Sequence, residues 1–446
     1  METNHEPKLI NLIIALESVL LLAFLFLLTP IGRSMSVSGT VSETKEKGKE
    51  EKTFIKWVDF DVTKEALQKA FRYDVDTCQN EIHLNWIELL AYLGARYGGD
   101  FSKYREADMA AIADRILAGE KMEEITADMK YYAYYLEAYT AVLGGMVGTY
   151  RIEIPEANAP AFVREDELAE RDVERGTIWV TKYGLKAFSP IAKNYPYNDY
   201  DDFGVSRSYG FKRQHLGHDM MGQVGTPVIA VESGRVEAIG WNQYGGWRLG
   251  IRSLDGKRYY YYAHLRKNYP YHKSLQEGSL VQAGDVIGYL GRTGYSRTEN
   301  TNNIDEPHLH FGIQLIFDES QKDGNNEIWI DCYEITKFLT MSRSETVKDQ
   351  ETKEYYRVYQ MADPDIPGGP IEQKMPMKDK TPEENMAEPE SRAEPESKAE
   401  PESRAEPESR AEPESRAEPE SKAEPESRAE LESRAEAQQQ PVMSRG

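Results

Sequence analysis

Positive charge is in deficit in this 446-residue chain: 54 Lys and Arg stand against 76 Asp and Glu, a formal net charge of -22. Gripping a phosphate backbone needs a basic footprint, so the charge argues against nucleic acid as a partner. Cysteine is scarcer still. Cys78 and Cys332 are the two present, too few for a disulfide framework. A bridge between them would close a very long loop, worth up to ~5 kcal/mol in the chain-entropy model; two unpaired thiols are the plainer reading. Long apolar runs are almost wanting as well. The exception is Leu9 to Leu28, interrupted by Asn11 and Glu17. Its length suits a hydrocarbon core of ~30 Å at ~1.5 Å per residue, so residues 1–33 are expected to form a membrane anchor or signal segment. Lys8 on one flank balances Arg33 on the other, and the charge rule gives little orientation. Ser36-Val-Ser38 leaves cleavage of a signal peptide as the alternative to an anchor.

Residues 34–52 are Ser, Glu, Lys and Gly without apolar periodicity, which reads as a linker. A helical pattern follows over residues 53–152. Trp86, Leu89 or Leu90, and Leu93 recur at helical spacing before Gly98-Gly99, and Tyr132, Tyr135, Leu136, Tyr139 and Leu143 form a second stripe before Gly144-Gly145. This predicts a small α-helical domain packed on itself. Glu88 lacks a second carboxylate at a persuasive spacing, so a lysozyme-like acid pair is not supported. Residues 153–182, with Pro155, Pro160 and many acidic groups, read as a connector with some helix. Residues 183–345 change period. Short alternating segments at 228–231, 235–239, 247–252 and 258–263, with a hairpin signal at Asp255-Gly256, predict a mainly antiparallel β-sheet domain. Alternation groups Tyr260, Tyr262 and His264 on one face of the fourth segment. Residues 346–446 are expected to be a disordered acidic tail. From Ala387 to Arg434 it repeats Ala-Glu-Pro-Glu-Ser-Arg/Lys, and proline at every sixth place forbids a continuous helix.

Histidine is concentrated where the sheet is expected: six of the eight lie between His215 and His310. Glu306 to Phe317 alternates like a strand, so His308, His310, Gly312 and Gln314 share one face while Leu309, Phe311, Ile313 and Leu315 share the other. The apolar set is a core face, and the two imidazoles must point away from it. Zinc takes three protein ligands in a catalytic site and keeps one position open. His215 and Asp219, four apart beside Gly217, offer a further nitrogen and an oxygen; His218, between them, is the alternative to His215.

These pieces have an order. His215-Leu-Gly-His-Asp219 precedes the segment Gly225-Thr-Pro-Val-Ile-Ala-Val-Glu-Ser-Gly234, then come Tyr262-Ala-His-Leu265, Gly284-Asp-Val-Ile-Gly288, Gly291-Arg-Thr-Gly294 and Pro307-His-Leu-His-Phe311. Over roughly residues 209–317 the chain resembles the lysostaphin-type zinc endopeptidases that cut peptidoglycan peptides. The resemblance implies a lysostaphin-like β-sheet fold and a Zn2+ cofactor on His215, Asp219 and His310. It also implies His264 and His308 as unliganded catalytic histidines, a peptidoglycan peptide as substrate, and an extracytoplasmic catalytic domain on a single-pass anchor, or a secreted one if the leader is removed. A noncatalytic wall-binding or assembly protein using the same groove is the second reading. One departure stands out: Arg297 to Glu306 is an Asn-rich, acidic insertion where the family has a short link, expected to border the substrate groove.

Overall fold

The computed structural model describes residues 54–160, 163–208, 212–324, 326–369 and 373. The chain divides into two units, Met1–Met377 and Lys378–Gly446, and every described residue lies in the first. The apolar run at 9–28, the linker at 34–52 and the repeats at 387–434 lie outside the described residues. Among the described residues no helix is long and apolar enough to cross a membrane.

Helix α1 (Lys64–Thr77) starts where the Thr63 hydroxyl accepts from the Ala66 amide, satisfying a donor that the first turn leaves orphaned. In α2 (Trp86–Tyr97) Asn85 caps the N-terminus and Gly98, at φ 66°, turns the chain out of the helix. Helices α3 (Glu106–Leu117), α4 (Met122–Thr126) and α5 (Tyr132–Leu143) follow. Both apolar stripes read from the sequence fall on helices, α2 and α5. They do not close on themselves, however. Trp86, Leu90, Tyr139 and Leu143 belong to one core cluster with Leu309, Phe311 and Ile313 of the sheet. The separate helical domain expected from residues 53–152 is therefore corrected: the helices and the sheet bury their apolar faces against each other.

The β elements are β1 (Val147–Pro155), β2 (Thr177–Leu185), β3 (Asn198–Asp199), β4 (Ser206–Ser208), β5 (Lys212–Gln214), β6 (His218–Met221), β7 (Pro227–Ile229), β8 (Gly234–Asn242), β9 (Gly246–Ser253) and β10 (Arg258–Ala263). After them come β11 (Leu280–Val281), β12 (Val286–Tyr289), β13 (His308–Leu315), β14 (Ile328–Ile330), β15 (Thr346–Lys348), β16 (Tyr355–Arg357) and β17 (Met361–Ala362). The main sheet runs β11-β8-β9-β10-β13-β6-β3, with β14 also on β13, and all its pairings are antiparallel. On β13, Leu309, Phe311, Ile313 and Leu315 are fully buried, each such side chain contributing roughly 1.5–3 kcal/mol relative to exposure.

Two boundaries move. The stretch expected as a connector contains the end of β1 and the start of β2, which pair over nine residues from Val147↔Leu185 to Pro155↔Thr177. Pro155 and the acidic run disguise these strands, because Pro155 closes β1 and the charges sit in the excursion between the strands. The tail boundary at 346 shifts too, since β15 pairs with β16 and β17 adds to β1. Lys186 Nζ lies 3.0 Å from the buried Asp363 carboxylate, and Arg357, buried, donates to the Ala283 carbonyl at 2.8 Å and to Asp285 at 3.2 Å. Short polar strands of this kind carry little periodicity, so their pairing partners decide their state, β1 for β17 and each other for β15 and β16. Cys78 and Cys332 are both free.

Candidate metal centre and active site

Strands β6 and β13 build the centre. Their register sets His310 opposite Asp219 and Phe311 opposite His218. Residues opposite each other share a face, so Asp219 joins His310 on the side away from the core, and His218 falls on the other side. There its Nε2 is 3.3 Å from Asp199 Oδ2 and its ring packs on Tyr333. The alternation of a four-residue strand thereby separates His218 from the centre. His215 reaches in from the turn before β6. Gly217 makes this possible by close approach: a Cβ there would lie 2.6 Å from the His310 ring and 2.7 Å from the Phe311 carbonyl oxygen.

Three donor atoms converge. His215 Nε2 is 3.1 Å from Asp219 Oδ1 and 3.0 Å from His310 Nδ1, and His310 Nδ1 is 2.9 Å from Asp219 Oδ1. Ligands at tetrahedral corners ~2.0–2.1 Å from zinc stand roughly 3.3 Å apart, so this near-equilateral triangle fits the ion. Two imidazole nitrogens at 3.0 Å also need a proton or a cation between their lone pairs, and the His215 tautomer leaves a lone pair able to bind a cation. Its Nδ1–H donates to the Asp202 carbonyl at 3.1 Å, which turns the Nε2 lone pair inward. Burial pushes the Asp219 carboxyl up, but its contacts with the His215 and His310 ring nitrogens and the charge of His310 outweigh it and hold the group well below the usual carboxylate range. Burial lowers His310 in turn, against the pull of Asp219.

His264 and His308 stand beside this triangle with ring centroids 4.8 Å apart, and His264 is 5.9 Å from the His310 ring. Each donates Nδ1–H to a main-chain carbonyl at 2.9 Å, His264 to Thr293 and His308 to Glu306, leaving Nε2 as the basic atom. Burial, then the proximity of His308 and His310, holds His264 well below the ordinary imidazole range, so it is neutral at pH 7. Strict alternation would have sent His264 into the core with Tyr260 and Tyr262, which pack on Phe311. The grouping of these three residues on one face is corrected. His264 has φ 60°, a left-handed conformation that costs a non-glycine residue ~1–2 kcal/mol and rotates its side chain to the opposite face.

All five sequence-predicted residues therefore meet on one face of the sheet. Sequence reasoning missed their supports. Arg207 Nη1 is 2.8 Å from Asp219 Oδ2, and its other amino group bonds the Asp202 carboxylate. The insertion at 297–306 is pinned rather than loose: Asn300 Oδ1 accepts from Trp247 Nε1 and the Asn268 amide, and Asn303 donates to the Tyr295 carbonyl at 2.7 Å. It braces the turn whose Thr293 carbonyl holds His264. No periodicity in the sequence signals either support: Arg207 meets Asp219 through the turn of the β4–β5 ribbon, and Asn300 bonds Trp247 and Asn268 in other segments.

Two imidazoles and a carboxylate aimed at one point of a sheet face, with two further basic imidazoles alongside, define the metal-dependent hydrolase class of site. Within that class, residues 213–324 match the model described as Peptidase family M23, and this stretch of the chain is a domain of that family. A Bacillus subtilis protein named L-Ala–D-Glu endopeptidase is 38% identical over 124 residues, covering 28% of this chain and 36% of that protein. A glycyl-glycine endopeptidase of Staphylococcus capitis is 36% identical over 151 residues, covering 34% of this chain and 33% of that protein. The chain thus spans about a third of the length of these curated relatives. The solved catalytic domain of lysostaphin from Staphylococcus simulans is 31% identical, with 32% of this chain and 92% of that one covered and a TM-score of 0.25.

Proposed function

We propose that this protein is a zinc-dependent endopeptidase that hydrolyses peptide bonds in peptidoglycan peptides or cross-bridges. The observation that carries the reading is the meeting of His215, Asp219 and His310 within 2.9–3.1 Å of one another, with His264 and His308 beside them. A zinc ion held there supplies Lewis-acid polarisation and lowers the pKa of a water toward ~7. His264, neutral and fixed by Thr293, accepts a proton at Nε2. His308, whose Nε2 lies 3.8 Å from Asp219 Oδ2, acts with it: an Nε2 that has taken up a proton from the attacking water returns it to the departing amine. Arg207 keeps Asp219 oriented through its second oxygen. The relatives' names, one for an L-Ala–D-Glu bond and one for a glycyl-glycine bond, support wall peptides as the substrate class. In this reading the apolar run at 9–28 anchors the chain in the cell membrane, the catalytic domain lies outside the cytoplasm, and the insertion at 297–306 shapes the groove.

Digestion of purified walls with and without a chelator, followed by mass analysis, tests the proposal. New amino termini are expected only without chelator, and their flanking residues identify the bond. His310→Ala should lose zinc and activity together. His264→Ala should keep its zinc and lose activity by ~10²–10³. A fully active, zinc-replete His310→Ala variant would overturn the assignment.

A further inference from the structure

Arg207 and Arg213 are register partners across the β4–β5 pair, so both side chains leave the same face of the ribbon. Arg207 is engaged by Asp219 and Asp202. Arg213 is not engaged in that way. Its guanidinium stands 5.0 Å over the Tyr295 ring, which in turn stacks at 5.8 Å on His264, and among the described residues Asp219 attracts it only at a distance, without a hydrogen bond or ion pair. The side chain is half-buried. A guanidinium is a cation at pH 7.

A partly desolvated cation with no directly bonded anion is a state that a ligand anion improves. Stacking occupies a face of the guanidinium, whereas its N–H groups lie in the plane and point outward from the edge. An edge of that shape matches a carboxylate through two parallel hydrogen bonds. The location matters as much as the shape: through Tyr295 the cation adjoins His264, one of the two histidines assigned to proton transfer.

We propose that Arg213 receives a free carboxylate of the peptide substrate close to the bond that is cut, so that the site selects acidic wall peptides over neutral oligoglycine. This rests on the endopeptidase reading above. It adds the substrate class that the site prefers.

The test uses the zinc-loaded full chain and two synthetic peptides that differ by one group, a free α-carboxylate beside the target bond in one and the carboxamide in the other. Each is made cleavable, and also with an N-methylated target amide for binding measurements by calorimetry. The carboxylate peptide is expected to bind ~10-fold or more tightly than its carboxamide twin, as for a charge-assisted bidentate contact. In Arg213→Gln the two should bind alike, and Arg213→Lys should restore part of the preference, because lysine keeps the charge without the fork. Equal binding by the natural protein, or a preference that survives in Arg213→Gln, overturns the proposal. Cleavage of both cleavable peptides without preference rejects the carboxylate receptor and leaves the endopeptidase. Preferential binding without cleavage of either does the reverse.

Discussion

At the scale of single residues, function here depends on departures from regular geometry. His264 takes its place because its φ of 60° breaks the alternation of β10, and His215 because Gly217 has no Cβ to strike His310. Burial of His264 has a further consequence for stability. Its folded pKa lies well below the ordinary 6.5, so as pH falls through about 6.5 the unfolded chain takes up a proton at this position that the folded one refuses. The unfolded state then binds more protons, and stability falls with acidification; above about pH 7.5 the residue contributes no pH dependence. Urea midpoints of metal-free protein should therefore decline from pH 6.5 downward, and His264→Asn should flatten that decline. Parallel curves for the two proteins would contradict the burial argument.

Among the elements, the join between helices and sheet is polar at its centre. Arg258, fully buried at the start of β10, pairs with Glu232 at 2.8 Å and donates to the Ala141 carbonyl of α5 at 2.8 Å. Tyr260 adds its hydroxyl to the same carboxylate at 2.6 Å. Removing one member strands a buried charge. Arg258→Ala is expected to cost ~3–5 kcal/mol in denaturant unfolding, and the double replacement Arg258→Met with Glu232→Leu to recover much of it. A double variant no more stable than the single would mean that the hydrogen bond to α5, and not the orphaned carboxylate, dominates. The elements themselves were largely readable: β10, the glycine stop of α2 and the two faces of β13 follow from periodicity and turn chemistry. Strands β1, β2 and β15 to β17 were not, because their partners lie up to about two hundred positions away and a strand is stabilised by its neighbours more than by its own composition.

For the molecule as a whole, residues 346–369 belong to the fold. In this segment Arg357 and Asp363 neutralise the buried Asp285 and Lys186, and Met361 completes an apolar cluster with Phe188, Ile229 and Val286. A chain ended after residue 377 should melt as the full one does, whereas ending it after residue 345 should lose roughly 3–5 kcal/mol for an orphaned buried charge alone. Equal melting temperatures for the two shortened chains would remove the segment from the fold's requirements.

The sequence by itself determined which residues could carry the chemistry. Strand alternation put His308 and His310 on one side, and motif order added His215, Asp219 and His264, because such patterns are local. Tertiary structure alone decided that His215 and not His218 joins Asp219, that His264 turns away from the core, and that Arg207, Asp202 and the Asn300 brace hold the ligands. Those outcomes depend on strand register, one left-handed residue and contacts between distant segments, and none of these is encoded in neighbouring positions.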